Sequence, residues 1–132
     1  MIESVKVLVD TSVWIDFFRG EEEVGRALEA LIHRGQVVVC GQIMQEVLQG
    51  SRDERAFKKL ETEMAIWEAV SEQPADFVDA ARIFARLRWK GITIPPTDCL
   101  VAAVAIRRGL HLYARDMDFD HIPNLHRYTP KT

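Results

Sequence analysis

The sequence predicts an α/β fold in which a mostly parallel sheet of about five strands is covered by helices on both faces. Two observations predict it, and a third points to where its chemistry lies. Short runs rich in β-branched residues, such as Val37-Val38-Val39-Cys40, alternate with longer stretches of helical periodicity, the order expected of crossover units around a parallel sheet. Helical stretches stop at Gly35, Gly50, Gly91 and Gly109, where a left-handed C-cap favours glycine. Carboxylates stand at the ends of apolar segments or inside them at Asp10, Glu46, Asp98 and Asp116.

The elements follow in chain order. Residues 5–9 read as a buried strand dominated by valine. Thr11 and Ser12 are placed to cap a helix through Trp14, Ile15, Phe17 and Phe18. Glu21, Glu22 and Glu23 open a second helix, where the dipole favours negative charge, and Val24, Leu28, Leu31 and Ile32 form its apolar face. A strand over 37–40 precedes a helix over 42–49. Residues 52–63 are charged and helical, with Phe57, Leu60 and Met64 on one side, and 65–67 is a candidate third strand. Pro74 introduces a helix over 75–90 with Phe77, Ala81, Phe84 and Leu87 as its inner stripe. Pro95 and Pro96 forbid a helix before them, Thr97 is the expected N-cap, and Asp98 falls in the first turn of an apolar helix over 99–108. Residues 110–114 and 125–128 read as the fourth and fifth strands.

The 132 residues are expected to form a single domain, 1–132, large enough to bury about two-thirds of the unfolded surface. No apolar run approaches the roughly 20 residues that cross a bilayer. The opening residues lack the basic-then-apolar plan of a signal peptide. Cys40 and Cys99 sit in apolar settings and read as reduced core thiols, so a cytoplasmic location is the simplest expectation. The net charge of −3 does not advertise a nucleic-acid binder. Without the four carboxylates named above, however, the remainder is slightly basic, and charge decides nothing about a phosphate-bearing substrate.

Those carboxylates carry the chemistry. Charged groups beside a core are paired or hold a metal. In open α/β sheets, sites form beyond the carboxyl ends of strands, where Asp10 and Asp116 fall. Asp98 and Glu46, on helices, can face the same crevice. Two carboxylates about 4 Å apart repel by roughly 4 kcal/mol at an effective dielectric near 20, so several such pairs rival a stability margin of about 5–15 kcal/mol. A cation or a shared proton is required. The candidate ligands are all hard oxygens, which select Mg²⁺ or Mn²⁺ over zinc. Such an ion activates water and neutralises a scissile phosphate, which points to phosphodiester hydrolysis.

Four segments carry a resemblance. They are Val9-Asp10-Thr11-Ser12-Val13-Trp14-Ile15, Glu46 with Val47-Leu48-Gln49-Gly50, Pro95-Pro96-Thr97-Asp98-Cys99-Leu100, and Ala114-Arg115-Asp116-Met117-Asp118-Phe119-Asp120. In this order and at these separations the chain resembles the PIN-domain ribonucleases over nearly its whole length, and within them the VapC toxins of bacterial and archaeal toxin–antitoxin pairs. The resemblance implies a three-layer α/β/α fold and Mg²⁺- or Mn²⁺-dependent cleavage of RNA, with structured RNA such as tRNA as an analogy from relatives. It implies Asp10, Glu46, Asp98 and Asp116 as catalytic and metal-binding residues, Glu46 directly or through water, with Asp118 as an additional or alternative member. Ser12 would support Asp10 and Thr97 would support Asp98. It also implies a homodimer, neutralised by a VapB-type antitoxin in a heterotetramer or larger assembly.

Other residues read more plainly. His33, His111, His121 and His126 show no mutual ligand spacing and are expected to be structural or superficial. Trp14, Phe17 and Phe18 are core, with an aromatic docking surface as the alternative. Arg52, Arg55, Lys58, Lys59, Arg86, Arg88, Lys90, Arg107, Arg108 and Arg115 are solvated faces or contacts to an RNA backbone. Rival enzymes fit less well. An aspartyl phosphatase wants a second Asp where Ser12 stands, and a phospho-receiver module wants a lysine where Arg115 stands. A non-catalytic module with a relic acidic pocket is the remaining alternative.

Overall fold

The computed structural model describes residues 5–130; residues 1–4, part of the opening segment that lacks a signal-peptide plan, lie outside it. Four strands, β1 (Val7–Val9), β2 (Val37–Cys40), β3 (Glu68–Val70) and β4 (His111–Tyr113), form one sheet in the order β3-β2-β1-β4. All pairings are parallel, with Leu8 opposite both Val38 and Leu112. Every residue of β1 and β2 is buried, so helices cover the sheet on both faces. No helix among the described residues is long and apolar enough to cross a membrane.

Six helices connect the strands: α1 (Thr11–Phe18), α2 (Glu22–His33), α3 (Gly41–Gln49), α4 (Glu54–Met64), α5 (Pro74–Trp89) and α6 (Pro96–Arg108). Trp14 is fully buried on α1 and donates its indole N–H to the Val9 carbonyl at 3.0 Å. Its ring packs against Phe17, Phe18 and Trp67, so this aromatic group belongs mainly to the core, with Phe18 emerging at its edge. Cys40 and Cys99 are buried, free thiols. Burial pushes the Cys40 thiol up to about 12, which leaves it unreactive.

Several sequence expectations need correction. The third strand is 68–70 rather than 65–67, because α4 runs through buried Met64 and ends at Ala65. The fifth strand reduces to a single parallel bridge, Leu112 to Arg127, held by bonds from Leu112 N to His126 O and from Tyr128 N to Leu112 O. Thr11 and Ser12 do not cap α1; Asp10 does, accepting from Ser12 N. Thr97 lies inside α6, whose N-cap is Pro95. Left-handed glycines follow α2, α5 and α6 at Gly35, Gly91 and Gly109, but Gly50 keeps right-handed geometry.

The largest correction concerns α5. Its inner face is Asp76, Ala80 and Leu87, whereas Phe77 and Val78 are more than half exposed and Ala81 is also exposed. Buried Asp76 turns the helix this way. Arg108 grips its carboxylate with two 2.8 Å bonds, Arg107 adds a third at 3.1 Å, and the Gln73 N–H caps it at 2.6 Å. Those guanidiniums hold Asp76 below the usual carboxylate range and fasten α5 to α6.

Candidate active site

The sheet order places β1 beside β4 although two other strands lie between them in the chain. The chain reverses direction across the sheet there, and the crevice beyond the carboxyl ends is where open α/β sheets bind ligands. Asp10 follows β1 directly, and its N–H bonds to the Tyr113 carbonyl of β4 at 2.9 Å. Asp116 lies just past β4 and caps a short 3-10 turn, Met117–His121, by accepting from Asp118 N at 2.9 Å. Asp98 sits in the first turn of α6.

The structure brings Asp98, Asp116 and Asp118 together, with one carboxylate oxygen of each lying within 4.8 Å of the others. Asp10 and Glu46 add their fields. Asp98 is raised to about 7 by burial first, then by the negative charges of Asp10, Asp116, Glu46 and Asp118. Burial also raises Asp10, which is only 7% exposed, against the downward pull of the Ser12 hydroxyl. Among the described residues, none of these five carboxylates forms an ion pair.

The cations nearby are committed elsewhere. Arg115 immediately precedes Asp116, yet its guanidinium lies on Glu21 at 2.8 Å and Asp16 at 3.3 Å. Arg127 pairs with Asp120 at 2.7 Å and donates to the carbonyls of Ala114 and Asp116. Asp120 is thereby turned into a brace for the loop. Arg107 and Arg108 are held on Asp76. The site is therefore acidic without internal compensation, although the same fold supplies partners to its other buried acid.

Hydroxyls orient two of the carboxylates. Ser12 Oγ donates to Asp10 Oδ2 at 2.8 Å and accepts the Arg115 N–H at 3.2 Å, joining the end of β1 to the loop after β4. Thr11 Oγ1 donates to Glu46 Oε1 at 2.9 Å. Sequence reasoning missed Thr11 as a site residue. The contact spans 35 positions, and the only local signal was a hydroxyl next to Asp10. Thr97 is half-buried in the first turn of α6 next to Asp98. His111 and His126 stack on each other across the 112–127 bridge and take no part in the acidic group.

The arrangement suits a hard cation. Three oxygens within 4.8 Å are close to the roughly 4.2 Å that separates opposite ligands around Mg²⁺ at about 2.1 Å. No sulfur joins them, and no imidazole does so among the described residues.

Comparison with known proteins bears on the family and the fold. The PIN domain family model matches residues 7–125. The chain belongs to the PIN-domain family. Within that family it is similar to Ribonuclease VapC11 of Mycobacterium tuberculosis, at 34% identity over 126 residues covering 90% of this chain and 92% of the relative. Its fold matches a chain of the VapBC2 structure from Rickettsia felis bound to a promoter DNA fragment, with a TM-score of 0.82 at 20% identity over 94% of this chain and 98% of that one. It also matches DNA-bound VapBC from Salmonella typhimurium, with a TM-score of 0.81 at 20% identity, covering 94% and 97% of the two chains. The α/β PIN-like fold is thus shared with VapC structures, and the four-stranded parallel sheet is the form it takes here.

Proposed function

We propose that this PIN domain is a VapC-type endoribonuclease, the toxin of a toxin–antitoxin pair, and that it hydrolyses RNA phosphodiester bonds with Mg²⁺ or Mn²⁺ at its carboxylate crevice. The ribonuclease reading rests on the VapC relatives. The observation that carries the metal dependence is the group of Asp98, Asp116 and Asp118 oxygens within 4.8 Å, with no cation paired to any of them among the described residues. Asp10 and Glu46 complete the ligand set, Glu46 directly or through water.

Asp10, Glu46, Asp98, Asp116 and Asp118 would hold a hard dication, which would supply charge neutralisation at a scissile phosphate and activation of water. The chain's own residues prepare the place. The Ser12 hydroxyl fixes the Asp10 carboxylate, and the Thr11 hydroxyl fixes that of Glu46. The Asp118 N–H holds Asp116. Asp98, raised to about 7, would hold a cation as the carboxylate, so binding would be coupled to proton release. The antitoxin as partner is supported by structural relatives solved as toxin–antitoxin complexes. Homodimerisation, and assembly with the antitoxin into a heterotetramer or larger, belong to the same reading.

The test is cleavage of total RNA by the purified protein with Mg²⁺, with chelator, and with Mg²⁺ restored. Asp10→Asn and Asp98→Asn should each remove at least about 99% of the activity, in line with the loss of a primary electrostatic group, while circular dichroism stays unchanged. Folded variants that cleave normally, or cleavage indifferent to chelator, would refute the assignment.

A further inference from the structure

A second concave surface lies away from the carboxylate group. It is a groove of about 490 Å³ between α5, α6 and the segment 120–124, within the roughly 300–1,000 Å³ of ligand-binding clefts. Its floor is aliphatic, built from Ile83, Leu87, Ala103, Ile106 and Ile122. Its rim carries Arg82 and Arg86 on successive turns of α5 and Lys90 at the C-cap of that helix.

The charges on that rim are not balanced. Two acids also line the groove, but both are occupied. Asp79 is bridged by Arg82 at 3.3 Å and by Arg107 at 3.6 Å, and Asp120 by Arg127 at 2.7 Å. Arg86 and Lys90 have no carboxylate partner among the described residues. An aliphatic trough beside unpaired cations is the complement of an amphipathic segment with apolar anchors on one face and carboxylates beside them.

We propose that this groove docks an acidic amphipathic segment of a protein partner. Its apolar side chains would enter the Ile83–Ile106–Ile122 floor, and its carboxylates would pair with Arg86 and Lys90. Single-stranded RNA fits less well, since binding of bases relies on aromatic stacking platforms, whereas the floor is aliphatic and His121 is the one aromatic ring among the lining residues. A second copy of the chain docked here through the same face would set Arg82, Arg86 and Lys90 against their own counterparts.

The proposal does not depend on the nuclease reading, and its test uses no activity. The probe is a panel of short helical peptides with leucines at i, i+4 and i+7 and flanking glutamates, together with twins carrying lysine in place of glutamate. Binding to the full chain is followed by fluorescence anisotropy. The acidic peptides should bind. The exposed double variant Arg86→Glu/Lys90→Glu should weaken them by about tenfold or more and should gain the lysine twins. Ile106→Glu, checked for folding by circular dichroism, should weaken both sets. Indifference to the charge reversal, or no binding by any peptide, would overturn the proposal. So would sedimentation showing that a dimer of this chain closes the groove, or loss of affinity for an RNA oligonucleotide, rather than for peptides, in the double variant.

Discussion

At Asp98, burial and four neighbouring carboxylates act in the same direction and raise the carboxyl to about 7. The unfolded chain holds that proton only up to its ordinary value of 3.8. The stability associated with it is therefore fully present below about pH 4 and is lost as pH rises through about 7. Asp10, also raised, adds in the same sense. Asp76 is lowered, so its contribution is lost on the acid side and does not oppose the trend near neutrality. The metal-free protein should melt at a lower temperature at pH 8 than at pH 5.5, and Asp98→Asn should flatten that slope and melt higher at pH 8. Scanning calorimetry with chelator decides this; a wild-type melting temperature that rises over this range would contradict it. Thr11→Val tests positioning. Loss of its bond to Glu46 should reduce cleavage by about tenfold, as loss of a ligand's supporting hydrogen bond often does, with folding intact. Asp10 and Asp98 were legible in sequence because each interrupts or opens an apolar run. Thr11 was not, because its partner is 35 positions away. Asp118 enters the tight trio through a 3-10 turn that no hydrophobic periodicity announces.

Among the elements, α6 was read closely, since its apolar sequence ends at a left-handed glycine, Gly109. Both β1 and β2 were also plain, because residues buried on both pleat faces leave an unbroken apolar run. By contrast, β3 is an edge strand with two exposed residues and carries no such signature. The face of α5 was misassigned in its first turns, where Phe77 and Ala81 are exposed, although Phe84 packs against the core and Leu87 is buried as the stripe predicts. A buried carboxylate decides the orientation, and a charge at a core position is invisible to a hydrophobic pattern. Removing that carboxylate should therefore be costly. Asp76→Ala leaves two guanidiniums without their shared anion and the Gln73 N–H without its cap. A loss of about 3 kcal/mol is expected for breaking such a pair. Urea unfolding at pH 7 measures it, and a change below about 0.5 kcal/mol, the size of an ordinary surface substitution, would show that the clamp contributes little.

Across the whole molecule, the strand order does what no single motif does. Reversal between β1 and β4 carries Asp10 and Asp116 to one crevice, α6 brings Asp98 to it, and α3 supplies Glu46. The fold thereby groups Asp98, Asp116 and Asp118, with Asp10 and Glu46 near enough for their charges to act on Asp98, while sending Arg115 and Arg127 to other acids. Order along the chain pointed to a shared crevice, whereas the closest oxygens are those of Asp98, Asp116 and Asp118, the last brought in by the turn after β4. The most direct test is a titration of Mn²⁺ into the metal-free protein, followed by electron paramagnetic resonance and calorimetry. The account predicts saturable binding with proton release that Mg²⁺ displaces, lost in Asp98→Asn. Mn²⁺ that stays free in solution with the wild-type protein, or binds the variant equally well, would contradict it.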